Sequence, residues 1–267
     1  MKIKFVYYLI VISCTLVGSE LEVLTYNIHA LSPILAGDDP HGRVPKILSK
    51  SSGNNIIFFQ ENWIFSEQYF NEYLPGHQIL TSKSSKFIWP FSNGSGLTVA
   101  LLDSIAILET NDISYSSCSG WLSKDNDCLA TKGFQHVRIK ITGDVIDLYN
   151  THLDAGDSDS DIKSRALQIK ELENYAMQES RDLPIIIAGD LNIDFNSDEL
   201  HVVHAFCDGL DLKIADWSNN PKDALPEKLD YILYRGSGDA DILLRGCNID
   251  AVLKGLSDHP PIKATFN

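Results

Sequence analysis

Hydrophobic positions along the chain gather into short apolar runs that stop abruptly at polar residues. Ile185, Ile186, Ile187 and Ala188 form a β-branched run with no polar face, the pattern of a strand covered on both sides. That run ends in Gly189, Asp190, Leu191 and Asn192. Residues 55–60 (NIIFFQ) repeat the pattern and end in Glu61. Residues 21–28 alternate instead, with Leu21, Val23 and Thr25 on one side, and Asn27 lies at the end. Further strands are predicted over 97–102, over 228–233 with Asp230 near its start, and over 262–266. A hairpin is predicted from residue 134 to 149 through a turn at Thr142-Gly143-Asp144, and its second arm leads into His152. Apolar spacings of three and four predict helices over 43–51, with Pro45 in its first turn, and over 158–178. The second carries an apolar stripe of Ile162, Ala166, Ile169, Leu172 and Tyr175. Shorter helices are predicted over 66–73 and 197–206.

Composition narrows the class. A chain of 267 residues with no repeat and no linker-like tract suits one large α/β domain. The formal charge of -14 argues against binding nucleic acid by phosphate neutralisation alone. Lys2 and Lys4 precede an apolar run over 5–17, and small Gly18 and Ser19 follow, as in a secretion signal cleaved after Ser19. The run is shorter than the roughly 20 residues that span a bilayer. A buried first strand, a short anchor and lipoprotein-like processing at Cys14 are the other readings of this segment. Export makes residues 20–267 the mature domain and leaves Cys118, Cys128, Cys207 and Cys247. An even number of cysteines in a secreted chain favours disulfides, and Cys118 with Cys128 and Cys207 with Cys247 are the expected pairs.

The chemistry sits where the strands stop. Residues two apart on an extended chain point the same way, so Asp190 and Asn192 converge on one ligand or close the strand in an Asx turn. A carboxylate with an amide oxygen suits a hard divalent cation or a phosphate. Glu61 occupies the sheet edge where open α/β sheets place their sites, or serves as an N-terminal charge for the following helix. His152 stands at the tip of the hairpin strand, and His259 precedes Pro260 and Pro261 on a rigid corner with Asp258 beside it. Arg165 and Gln168 share a helix face and either order the loop after His152 or are solvated. The aromatic stretch 87–91 (FIWPF) reads as a plug under a loop or as a patch for a lipid surface.

Taken in order, YN ending at Asn27, QE ending at Glu61, THLDAG around His152, GDLN, LDY around Asp230 and SDHPP resemble the endonuclease/exonuclease/phosphatase superfamily. These are metal-dependent phosphodiesterases that include deoxyribonuclease I. The resemblance implies a four-layer α/β/β/α sandwich, two mixed β-sheets packed face to face with flanking helices. It further implies that Glu61 with Asn27 holds Mg²⁺, or another divalent cation such as Mn²⁺ or Co²⁺. His259 is then the general base with Asp258 as its orienting acid, and His152, positioned by Asp230, donates to the phosphate. Asp190 and Asn192 align the water or a second cation, and Lys132 contacts phosphate.

Within the superfamily the chain is most similar to the secreted bacterial sphingomyelinases, through LATKGF (129–134) with Lys132, THLDAGD, and the helix carrying Arg165 and Gln168. The substrate so implied is a phospholipid at a membrane surface, with nucleic acid as the alternative and a non-catalytic binding protein as a third reading. Nothing in the pattern points to a protein partner. One departure stands out: those enzymes carry an aromatic-tipped hairpin shortly before the final Asp-His, and residues 248–256 contain no aromatic. Either FIWPF supplies the membrane contact or the substrate is not a bilayer lipid.

Overall fold

The computed structural model describes residues 20–82, 86–88, 91–119, 131–217, 228–238 and 242–267. In chain order the elements are β1 (Leu21–Ala30), α1 (Pro33–Ala36), α2 (Pro40–Ser51), β2 (Ile56–Asn62), α3 (Glu67–Tyr73), β3 (His77–Thr81), β4 (Lys86–Ile88), β5 (Phe91–Asn93) and β6 (Thr98–Leu102). The chain continues through β7 (Ala106–Ser114), β8 (Gly133–Ile141), β9 (Asp144–His152), α4 (Asp159–Glu179), β10 (Ile185–Asp190), α5 (Leu200–Leu210), β11 (Lys213–Ile214), β12 (Asp230–Arg235), β13 (Leu244–Ile249) and β14 (Ile262–Phe266). The proposed leader, 1–19, lies outside the described residues.

Two six-stranded mixed sheets form, ordered β13-β14-β1-β2-β6-β3 and β11-β12-β10-β9-β8-β7. Each is built on one parallel pair, β1 with β2 and β9 with β10, flanked by antiparallel neighbours. The apolar run of β10 is explained by its two faces. Ile186 and Ala188 face the first sheet, packing in one cluster with Val23, Ile56, Phe58 and Val99. Ile185 and Ile187 face the other way, onto Leu172 and Ala176 of α4 and Phe206 of α5. Likewise β1 turns Leu24 and Tyr26 outward against Val44 and Ile47 of α2 and Phe70 of α3. Helices therefore cover both outer faces, giving four layers. A fully buried Ile such as Ile186 contributes about 1.5–3 kcal/mol by leaving water, so this double covering selects the strand conformation.

The structure departs from the sequence reading in several places. Helix α2 starts at Pro40 rather than Arg43, with Asp39 capping it, so Pro45 lies inside the helix and not in its first turn. On α4, Ile162 is exposed, whereas Arg165 and Gln168 are buried. The stripe expected from apolar spacing thus turns polar at its N-terminal end. A capping box between Ser158 and Asp161 fixes that end. Strands β3, β7 and β13 went unpredicted. All three are sheet edges, and in β7 and β13 most side chains reach solvent, which removes the alternation that marks a half-buried strand.

Cys207 and Cys247 are both free, contrary to the expected bridge. Cys207 packs under the helices of the second sheet, whereas Cys247 packs against the cluster between the sheets. Cys118 is not among the free cysteines, and its expected partner Cys128 lies outside the described residues. Residues 129–130 of LATKGF, and Trp89 and Pro90 of FIWPF, also lie outside them.

Candidate active site

All four strands of the two parallel pairs release a polar group at the same end. Asn27 and His29 close β1, Glu61 closes β2, His152 closes β9 and Asp190 closes β10. In the parallel register His152 pairs with Asp190 and Asn27 with Gln60, so stacking the two sheets brings the ends together. Antiparallel pairing of β10 with β12 sets Asp230 directly beside Asp190.

Asp190 is the hub. Its Oδ2 accepts from Asn27 Nδ2 at 3.0 Å and faces His152 Nε2 at 3.5 Å and His259 Nε2 at 3.6 Å. Its Oδ1 accepts from the Asn192 backbone N–H at 2.9 Å. The Asn27 amide also donates to Glu61 Oε1 at 2.9 Å, and its own oxygen accepts from the His29 backbone N–H at 3.0 Å. Asn27 therefore joins the two carboxylates through its nitrogen, a different arrangement from the oxygen ligand expected.

Two expected pairings are rearranged. Asp230 Oδ2 lies 3.0 Å from His259 Nδ1, so it orients His259 and not His152. Asp258, adjacent to His259 in sequence, turns away and faces His29 Nδ1 at 3.4 Å. Lys132 is buried, donating to His152 Nε2 at 2.7 Å and to the Leu153 carbonyl at 2.9 Å. Asn192 Nδ2 shares that carbonyl at 2.9 Å. The loop bearing Leu153 is held from α4. Arg165 forms a two-bond pair with Glu199 at 2.8 and 2.6 Å and donates to the carbonyls of Asp154 and Gly156. Gln168 donates to the Asp154 carboxylate and accepts from its backbone N–H. These two residues order the loop and are not solvated.

The backbone is strained at the same place. Of the five non-glycine residues with positive φ among the described residues, His29, Glu61 and Asn192 are in the pocket; each such conformation costs of order 1–3 kcal/mol. The β1–β2 register shifts between Asn27 and Ala30, a bulge that aims His29 at Glu61. Gly189 has φ 149° and backs onto Thr151, whose carbonyl oxygen would lie 1.9 Å from an added Cβ. Only glycine allows β10 to come this close before Asp190.

Electrostatics follow from burial and partners. Burial disfavours charge on Glu61, but His29, His152, Asn27 and Lys132 outweigh it and hold the carboxyl well below the usual range. Burial likewise opposes ionisation of Asp190, and His259, His152 and Lys132 together hold it down. Burial pushes Asp230 up to about 6, although His259 pulls against it. Burial and the Lys132 charge lower His152 to about 4, which leaves its ring neutral. His259 goes the other way: burial lowers it, but Asp230 and Asp190 raise it to about 11.

The donor set fits a hard divalent cation. Ligand atoms of Glu61, His152 and Asp190 lie within 4.8 Å of one another, as do those of Asp190, Asp230 and His259. Among the described residues, Asp230 Oδ1 and His152 Nδ1 are buried without a hydrogen-bond partner. Buried polar atoms are rarely left so, and here they border a cluster of carboxylates.

The family model described as "Endonuclease/Exonuclease/phosphatase family" matches residues 24–259. The chain belongs to this family. Among curated members, it is 31% identical over 126 residues to the sphingomyelinase C of Listeria ivanovii, covering 40% of this chain and 37% of that protein. It is 23% identical over 197 residues to a sphingomyelinase of Mycobacterium bovis, covering 68% of this chain and 36% of the other. The match thus spans little more than a third of each relative's length. A Staphylococcus aureus beta toxin mutant with bound magnesium ions superposes with a TM-score of 0.67 at 20% identity, over 92% of this chain and 99% of the toxin. The D. rerio TDP2 complexed with a single-strand DNA product gives 0.69 at 17%, over 93% and 99%. At these identities the structures establish the fold. The four-layer sandwich of two mixed sheets is the family's architecture.

Proposed function

We propose that the chain is a secreted, Mg²⁺-dependent phosphodiesterase whose substrate is a phospholipid, sphingomyelin foremost, hydrolysed to ceramide and phosphocholine. The observation that carries it is the convergence of His152 Nε2, His259 Nε2 and the Asn27 amide on one oxygen of Asp190, with Glu61 held alongside by Asn27. Glu61 and Asp190 would hold the cation, which when bound supplies Lewis-acid polarisation of a phosphoryl oxygen. Mn²⁺ or Co²⁺ would serve through the same oxygen ligands.

The chain's own groups do the rest. Asp230 accepts the Nδ1–H of His259, and with a cation offsetting the Asp190 charge that otherwise keeps the ring protonated, Nε2 would be free to accept a proton from the attacking water. The water oxygen bonds to phosphorus as the bond to the ceramide oxygen breaks; that oxygen takes up a proton from solvent, and His259 returns to solvent the proton it accepted. Burial, with the Lys132 charge beside it, keeps the His152 ring neutral, and the Lys132–His152 pair lines the phosphoryl side of the pocket. Asn192 and Asp190 align the water.

Support for the lipid comes from the two curated relatives described above, each a sphingomyelinase, and from FIWPF. Its flanks pair as the separate two-stranded sheet β4–β5, with Ile88 opposite Phe91. Export rests on Lys2, Lys4 and the apolar run that follows. A second reading, a deoxyribonuclease using the same residues, is favoured by the TDP2 likeness with its DNA product. One assay separates the two: purified protein with Mg²⁺ is offered sphingomyelin liposomes, plasmid DNA and an inositol phosphate in parallel, each with a chelator control. Chelator-sensitive release of phosphocholine supports the proposal, DNA cleavage alone replaces it with the nuclease, and no hydrolysis defeats both. His259→Ala should abolish turnover and leave the thermal melt within a few degrees; a variant retaining more than about a tenth of the rate would reject the general-base role.

A further inference from the structure

His29 has no part in the steps above, yet its ring touches two of the pocket's carboxylates. Nδ1 lies 3.3 Å from Glu61 Oε2 and 3.4 Å from Asp258 Oδ2. Since Asn27 holds Glu61 Oε1 at 2.9 Å, the two oxygens of this carboxylate are fixed from opposite sides by consecutive polar residues of one strand end. The histidine is built into place. Its φ is 46°, and the guanidinium of Arg43 on α2 grips its carbonyl at 3.0 Å, that of Ile28 at 2.6 Å and that of Leu256 at 3.2 Å. The same arginine thus ties the β1 bulge to the segment leading into Asp258 and His259.

We propose that His29 is a positioning residue of the cation site: its ring holds Glu61 in the ligating orientation and couples that carboxylate, through Asp258, to the corner that carries His259. The proposal rests on reading the pocket as a divalent-cation site. It differs from the assigned roles in that His29 touches neither cation nor substrate and acts through Glu61. Hydrogen-bonding partners of a metal ligand typically contribute 10- to 100-fold in affinity.

Two substitutions separate the ring's hydrogen bond from the backbone conformation. His29→Asn carries an amide nitrogen at the same bond count from Cα as Nδ1 and tolerates positive φ. His29→Gly tolerates the backbone and donates nothing. The full-length protein is titrated with MgCl₂ by isothermal calorimetry, beside Glu61→Gln, with circular dichroism confirming the fold. His29→Gly should bind Mg²⁺ about tenfold more weakly or worse, and His29→Asn should stay close to wild type. Should the glycine variant fail to fold, His29→Ser, too short to reach Glu61, carries the same comparison. Wild-type affinity in the glycine or serine variant overturns the proposal, as does an asparagine variant no better than the glycine one. If wild type binds no Mg²⁺, or Glu61→Gln binds as tightly as wild type, the cation reading itself has failed and the proposal falls with it.

Discussion

Asp147 offers the sharpest test of how this fold is held, because one fully buried carboxylate collects three hydrogen bonds and a close histidine ring. Its Oδ1 accepts from Arg138 Nε at 2.8 Å and lies 3.1 Å from His136 Nε2; its Oδ2 accepts from Arg138 Nη2 at 2.9 Å and Ser180 Oγ at 2.5 Å. His136 is itself fully buried and stacks on Tyr149. Asp147→Asn keeps the shape, removes the charge and turns an N–H₂ toward donors. Breaking a buried ion pair on one side costs about 3–5 kcal/mol, because the partner's charge stays behind. Arg138 is partly exposed, so the lower half of that range, about 3–4 kcal/mol, is expected.

The pH dependence has a fixed sign. Burial raises the Asp147 carboxyl, but His136, Arg138 and Ser180 prevail and lower it below its ordinary value. Its contribution is therefore full above the unfolded-state value of about 4 and is lost as pH falls through the lower folded value. Urea unfolding followed by fluorescence, at pH 7 and at steps below pH 4, should show a gap between wild type and variant that closes with acid. Asp147 and His152 are separated by five positions of β9, roughly 17 Å at strand rise, so Mg²⁺ affinity should not change. A loss under about 1 kcal/mol at pH 7, or a gap that persists in acid, would refute the reasoning.

Three other outcomes are expected. Asp230→Asn removes the carboxylate that orients His259 and should lower phosphodiester turnover by about 10²- to 10⁴-fold without lowering the melting temperature; turnover above about a tenth of wild type counts against that role. Gly189→Ala drives a Cβ against the Thr151 backbone and should cost about 3 kcal/mol or more, a fall in melting temperature of roughly 10 °C by calorimetry. In chelator, His259 should stay protonated through neutral pH, since Asp230 and Asp190 raise it to about 11. Added Mg²⁺ places positive charge near these carboxylates and should lower the titration midpoint read from the ring-proton NMR shift; an unchanged midpoint would contradict cation binding at Asp190.

The strand-end groups were legible because apolar runs over 55–60 and 185–188 can carry polar side chains only where they stop. That logic locates Glu61, Asp190 and Asn192 without any tertiary knowledge. It does not locate partners. The family resemblance pairs Asp230 with His152, but its neighbour is set by the β10–β12 register and by a corner folding back from residue 259, both non-local. Asp258 was read as the partner of His259 because they are adjacent, and adjacency sends side chains apart, here toward His29. His29 itself was missed, since the bulge and positive φ that turn it onto Glu61 leave no periodic trace. Its position two residues past Asn27, on the same side of an extended chain, is the one available signal. Buried Arg165 and Gln168 escaped a stripe drawn from apolar spacing because their polar ends are satisfied by a loop, not by water.

The first sheet is completed by its last strand: β14 pairs along β1 from Leu21 to Thr25. Until β14 docks, β1 has an open edge, and the corner bearing His259 is held on its N-terminal side alone. A nascent chain can therefore assemble most of its hydrophobic interior while remaining chemically inert. Long-range pairing of this kind is slow to form, so the onset of hydrolysis after dilution from denaturant should lag behind the burial of Trp217.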